Sequence, residues 1–233
     1  MSKKIKFIPN SELCKNNMPS PVSAKKIIPE WYKNIQYKMN KKYLWVTPKG
    51  QSNLTVKSCI PVFDAITSGY IITTPADVYV TNDIAYPKFM WEVSWDMVTG
   101  HSPLQVKDMP MPTGYSQGPY KWEVDWSIET PKGYSLLFTH PFYRFDLPFI
   151  TLTGISDNDD HKMPVNLPFL LKDNFEGLIP KGTPIAQIIP IKRDNWNSEV
   201  KDYNKNASFD IDMIKSIVER SYKKTIWKKK NYD

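Results

Sequence analysis

Between Thr130 and Arg193 the chain is a succession of short apolar runs, TPKGYSLLF, FITLTGISDNDDHKMPVNLPFLL and GLIPKGTPIAQIIPIKRD, each closed by proline, glycine or an acidic cluster. Runs of about four to eight apolar residues between such breakers suit β-strands joined by turns and are too short for ordinary helices. The same pattern starts earlier, in LTVKSCIPVF, GYIITTPADVYV, FMWEVSWDMV and KWEVDWSIET. In the last two the alternation is clear. Trp91, Val93 and Trp95 share one face opposite Glu92, Ser94 and Asp96, and Trp122, Val124 and Trp126 face away from Glu123 and Asp125. Two half-buried strands are predicted there, within a mainly β core running from about Leu54 to Arg193. The 20 prolines against 9 glycines agree with short strands and rigid loops. An aromatic content of 13% excludes disorder throughout.

The two ends read differently. Residues 1–50 are rich in Lys, Asn and Pro and are predicted to form an extended arm; in PSPVSAKKIIPEWYKNI, Pro29 precedes Trp31, Tyr32 and Ile35 as at the first turn of a short helix. After Arg193 a polar linker leads into FDIDMIKSIVERSYKKTIWKKK, where Ile211, Ile214, Val218 and Tyr222 recur at helical spacing and Asp210 and Asp212 lie near the positive end of the dipole. The expected organisation is therefore an arm over 1–50, a β domain over 51–195, and a linker with a basic amphipathic helix over 196–233.

The net charge of +7 is concentrated at the ends, in Lys3, Lys4, Lys25, Lys26, Lys38, Lys41 and Lys42 and again in Lys223, Lys224 and Lys228 to Lys230. Such ends are read first as a solvated polar exterior and second as a surface for an anionic partner, nucleic acid or an acidic protein surface. Cys14 and Cys59 lack the spacing of a disulfide framework or zinc site and are expected to be free thiols; three histidines without HxH or HExxH spacing define no metal site. The start MSKKIKFIPN has no apolar signal region, and no run approaches the roughly 18 apolar residues of a membrane span. Neither export nor membrane insertion is expected. The long, turn-rich stretch HSPLQVKDMPMPTGYSQGP is the kind of loop that often carries function. It makes His101 and Gln105 candidates for a polar ligand site, although a lone histidine also serves as a hydrogen-bonded structural group.

In order and spacing these segments resemble the core of the dUTPase and dCTP deaminase superfamily, weakly before Lys121 and better after it. The resemblance implies a β-clip fold, a distorted β-barrel usually assembled as a trimer, with nucleotide clefts built from several subunits. SGYIITTPADVYV resembles the family's Ala-Gly-Tyr-Asp-Leu strand, with Ile71 where the motif carries aspartate. FTHPFYRF stands where an Arg-Ser pair holds phosphates, leaving Arg144 as a displaced equivalent without the serine. GISDNDDHK resembles Gly-Val-Ile-Asp-x-Asp-Tyr-Arg-Gly, which places Asp157 at the water-orienting position and Asp159 at the second carboxylate, with Asp160 for the tyrosine. The same acidic and amide residues also suit any exposed turn. KGTPIAQI matches the fourth motif through Gly182 and Gln187, while the glycine-rich closing segment has no counterpart, since NASFDIDMIKSI contains no glycine.

A second resemblance, carried by IPEWYK, GYIITTPADV, KWEVDWSIETPKGYSLLF and KGTPIAQIIPIKRD, is to a group of tailed-phage proteins, and implies a viral origin with residence in the host cytoplasm or the virion. Two functions are expected from these resemblances. The first is a non-catalytic binding or virion-associated structural protein on a trimeric dUTPase-like scaffold, needing no cofactor and contacting sister subunits, other virion proteins or nucleic acid. The alternative is a dNTP pyrophosphatase in which Asp157 orients water for attack on a magnesium-bound triphosphate, Gln187 holds nucleotide and Arg144 touches phosphate. Loss of both the phosphate clamp and the closing segment favours the first, because those groups supply much of the transition-state stabilisation.

Overall fold

The computed structural model describes residues 3–38, 54–83, 86–160, 164–203, 223 and 226–232. The chain divides into two compact units, Met1–Ile27 with Gly69–Arg193, and Ile28–Ser68 with Asp194–Asn231.

The first unit is mainly β, and all its strand pairs are antiparallel. Its largest sheet runs in the order β11 (Gly154–Ser156), β9 (Tyr134–Thr139), β14 (Pro184–Lys192), β3 (Tyr70–Thr73), β2 (Val22–Ser23). A second sheet orders β10 (Phe149–Thr151), β12 (Leu167–Leu171), β7 (Tyr120–Trp122) and β6 (Val98–Gly100); a third orders β13 (Gly177–Ile179), β4 (Val78–Asn82) and β5 (Pro87–Met90). A two-stranded ribbon pairs β1 (Lys6–Pro9) with β8 (Trp126–Glu129). Among the described residues none of these sheets closes into a barrel. One core joins them, centred on Trp122, which stacks on Phe169 at 4.4 Å and meets Phe149 edge-on at 5.2 Å. Burying Phe149 and Phe169 contributes roughly 1.5–3 kcal/mol each.

Parts of the predicted arm belong to these sheets, since β1 and β2 are edge strands and the helix between them, α1 (Glu12–Asn17), buries Cys14. Ser11 caps α1, its hydroxyl accepting from Cys14 N–H at 3.0 Å. The glycine of GYIITT has a steric reason. Gly69 sits at φ +70°, and a Cβ there would lie 2.0 Å from the Ile188 carbonyl oxygen, so only glycine lets the chain enter β3 this close to β14.

Three strand expectations are corrected. KWEVDWSIET is not one strand but two, β7 and β8, in different sheets; the inward set Trp122, Val124 and Trp126 stays buried, while hydrogen bonding breaks at 123–125 and Glu123 N–H turns to Met97 O at 3.0 Å. Residues 91–95 keep the alternating exposure expected of them, but none is in a strand and 92–95 form bends between β5 and β6. Alternation reports which side chains are buried and leaves the backbone partner open. LTVKSCIPVF belongs to the second unit and is helical, with a 3₁₀ turn at Val56–Ser58 and α3 over Ile60–Thr67. There Pro61 lies in the first helical turn, where its missing N–H is harmless, and Ile60, Phe63 and Ile66 follow helical rather than strand spacing.

The helix expected after Pro29 is present as α2 (Glu30–Asn34), which buries Tyr32 against Phe63 at 6.2 Å between ring centroids. In the same unit Trp227 Nε1 donates to both Asp64 oxygens at 3.0 and 2.9 Å, and Lys230 Nζ contacts the same carboxylate. Ile211, Ile214, Val218 and Tyr222, the apolar stripe of the predicted terminal helix, lie outside the described residues. Cys14 and Cys59 are free thiols, the first buried and the second exposed. No helix among the described residues is long and apolar enough to cross a membrane.

Candidate functional site

The acidic turn after β11 and the end of β14 are brought together by register. β9 pairs with both strands, with Leu136 opposite Ser156 on one side and Tyr134 opposite Lys192 on the other. Arg193, the next residue of the chain, therefore meets the turn. Its NH1 donates to Asp157 Oδ1 and Asp159 Oδ1, both at 3.0 Å, and to Ser135 Oγ at 3.3 Å; its NH2 pairs with Asp159 Oδ2. Ser135 Oγ donates to Asp157 Oδ1 at 2.6 Å, and Gly133 N–H donates to Asp159 Oδ2 at 2.8 Å. Between the two aspartates Asn158 is buried, its Nδ2 donating to Ile128 O at 3.0 Å.

The electrostatics follow from these contacts. The Arg193 fork and the Gly133 N–H hold the Asp159 carboxyl down to about 2, and its side chain is only 2% exposed. Asp157 is also held below the ordinary carboxylate range, first by the Ser135 hydroxyl and then by Arg193, although its side chain is 67% exposed. Arg193 in turn is raised, chiefly by Asp159. The two carboxylates singled out by the sequence resemblance thus share one guanidinium, the arrangement of a clamp tying the ends of β9, β11 and β14 together. A magnesium ion held by both carboxylates would have to displace that cation from Asp159, whose two oxygens are engaged, and would find only Asp157 Oδ2 uncommitted, so the pair in this arrangement does not fit the metal. Sequence reasoning passed over Arg193 and Ser135. The available signal was a basic residue ending an apolar strand in a chain with an acidic turn.

Gln187 and Arg144 lie elsewhere. Gln187 is buried in β14, opposite Thr139 on one side and Ile71 on the other, and its Oε1 accepts from Phe142 N–H at 3.0 Å. Arg144, in the same 140–147 loop, makes a two-point pair with Asp146, Nε to Oδ1 and NH2 to Oδ2, each at 2.8 Å. On β9, Ser135 at the aspartate clamp and Thr139 beside Gln187 are four residues apart, roughly 13 Å at about 3.3 Å per residue. Within one chain, then, Gln187 and Arg144 share one end of the sheet, and Asp157 and Asp159 the other.

The second candidate region is separate from both. His101 Nδ1 lies 3.0 Å from Gln105 Oε1 at the start of the long loop, and His101 lines a cavity of about 630 Å3. Among the described residues no cluster of three or more His, Cys, Asp or Glu side chains is arranged to hold a metal ion. No protein-family model matches the chain, and no curated protein matches it in sequence.

Proposed function

We propose that the chain is a phage-encoded, non-catalytic binding or virion-associated structural protein built on a trimeric scaffold of the dUTPase-like β-clip type. The observation that carries this reading is the Arg193 clamp. A water-orienting carboxylate has to present a free acceptor oxygen to the nucleophile, and a hydrolase needs metal and phosphates fixed around it. Here Asp159 spends both oxygens on Arg193 and Gly133 and Asp157 spends Oδ1 on Arg193 and Ser135, while Gln187 and Arg144, the groups expected to hold nucleotide and phosphate, serve a loop at the other end of the sheet.

Assembly is supported by a second feature. Leu178, Tyr79 and Met90 are direct cross-strand neighbours on β13, β4 and β5, exposed to 44, 41 and 47%, while Ile179, Val78 and Val80 on the same strands face the core. An exposed apolar row across three strands is a surface for a second copy of the chain to cover. The basic C-terminal segment leaves nucleic acid as a further partner.

The test is phosphate release from the common dNTPs with magnesium, alongside light scattering. No turnover above background and a trimeric mass are expected, with Tyr79→Lys shifting the mass downward. Turnover near about 1 per second, abolished by Asp157→Asn, would replace this reading with the dNTP pyrophosphatase; a monomer at micromolar concentration would remove the trimer.

A further inference from the structure

The cavity beside His101 lies within the first unit, between the β4–β5 hairpin, the 101–118 loop and the segment following β12. At about 630 Å3 it falls inside the range of about 300–1,000 Å3 typical of small-molecule sites. Its walls are held by backbone. His101 N–H donates to Pro119 O at 3.0 Å, Ser116 N–H to Leu171 O at 2.8 Å and Asp173 N–H to Gly114 O at 3.0 Å, so the loop is pinned to the end of β12. Several lining side chains are engaged, Ser116 Oγ with Gly118 O, Asp83 with Lys88 and His101 with Gln105, and four are not. Those of Asn82, Gln117, Asp173 and Asn174 make no hydrogen bond among the described residues.

The chemistry of that lining selects a ligand class. Carboxylate and amide oxygens accept, amide nitrogens donate, and His101, with Nδ1 engaged by Gln105 Oε1, keeps Nε2 as an acceptor. A hydroxyl group is both donor and acceptor and can use all of them. An anion finds little here: Asp83 and Asp173 line the cavity, and the Lys172 ammonium turns to Phe145 O at 3.4 Å. An apolar ligand would leave the polar side chains desolvated without partners. Two tyrosines complete the wall: Tyr86, 68% exposed, and Tyr120, whose ring is fixed 4.8 Å from Phe89. They offer aromatic surface to the C–H face of a ring.

We infer that this cavity binds a neutral, polyhydroxylated ligand, a saccharide of one or two rings. The inference goes beyond the proposed function and stands whether the scaffold is inert or hydrolytic. The pinned walls mean that little ordering is needed on binding.

The experiment is saturation-transfer NMR with calorimetry on the full chain, using glucose, galactose, N-acetylglucosamine and lactose, with inorganic phosphate as the contrasting probe. Saturable binding of at least one saccharide is expected, weakened at least about tenfold, or 1.4 kcal/mol, by Gln117→Ala and by Asp173→Ala. Both side chains are exposed and unbonded, so unchanged circular dichroism is expected of both variants. Three results would each overturn the inference: no saccharide binding at millimolar concentration, saccharide binding that neither substitution weakens, or binding of phosphate in place of the saccharides.

Discussion

The guanidinium of Arg193 grips the carboxylate of Asp159 with two nitrogens, NH1 on Oδ1 at 3.0 Å and NH2 on Oδ2, and the same NH1 reaches Asp157. One cation thereby closes the acidic turn onto the end of the central strand of the largest sheet.

This clamp sets an acid dependence. The Asp159 carboxyl titrates at about 2 in the fold against 3.8 in its absence, so the unfolded chain takes up the proton first. The stabilisation is complete above the unfolded value and is lost as pH falls from about 4 toward about 2. In urea denaturation, Asp159→Asn should lower the midpoint near neutrality and show a shallower fall through that acid window than the parent chain. Parallel acid profiles for the two proteins would show that the pair contributes nothing.

His140 sets a second dependence near neutral pH. Its Nε2 lies 3.0 Å from Arg144 O and so carries the proton, while Nδ1 accepts from Thr151 N–H at 3.3 Å. A second proton would put N–H against N–H. Burial, the main cause, depresses its pKa below 6.5, so the unfolded state protonates first and stability declines as pH drops below that value toward the lowered one. The denaturation midpoint should fall between about pH 7.5 and pH 5.5 in the parent chain and change less in His140→Gln. An NMR titration giving His140 an ordinary or raised pKa would refute this.

Gln187 is a structural residue on this reading. Gln187→Ala removes the acceptor of Phe142 N–H, and leaving this part-buried donor unmatched costs about 1 kcal/mol, the lower end of the range for a buried group. The expected result is that loss in equilibrium denaturation, with faster hydrogen exchange at the Phe142 amide. A variant as stable as the parent, with that amide still protected, would contradict it.

The β class of the first unit and the burial of Trp122, Val124 and Trp126 were legible in the sequence because both depend on local order: alternation, and breakers at the ends of short runs. The helix after Pro29 was legible for the same reason. Where two periods competed, as in Ile60–Thr67, local reading chose the wrong one, since the apolar run was dense enough to satisfy either and the position of Pro61 decided for the helix. What only the tertiary structure decided was partnership. No local pattern indicates that KWEVDWSIET divides between two sheets, that Gln187 turns to a loop, or that the paired aspartates at 157 and 159 are answered by Arg193. The partners of Gln187 and Arg193 depend on register among β9, β11 and β14, and the division of KWEVDWSIET depends on β7 pairing with β12 and β6 while β8 pairs with β1. A short motif specifies which groups a segment carries, and the assembled sheet determines what each of them faces.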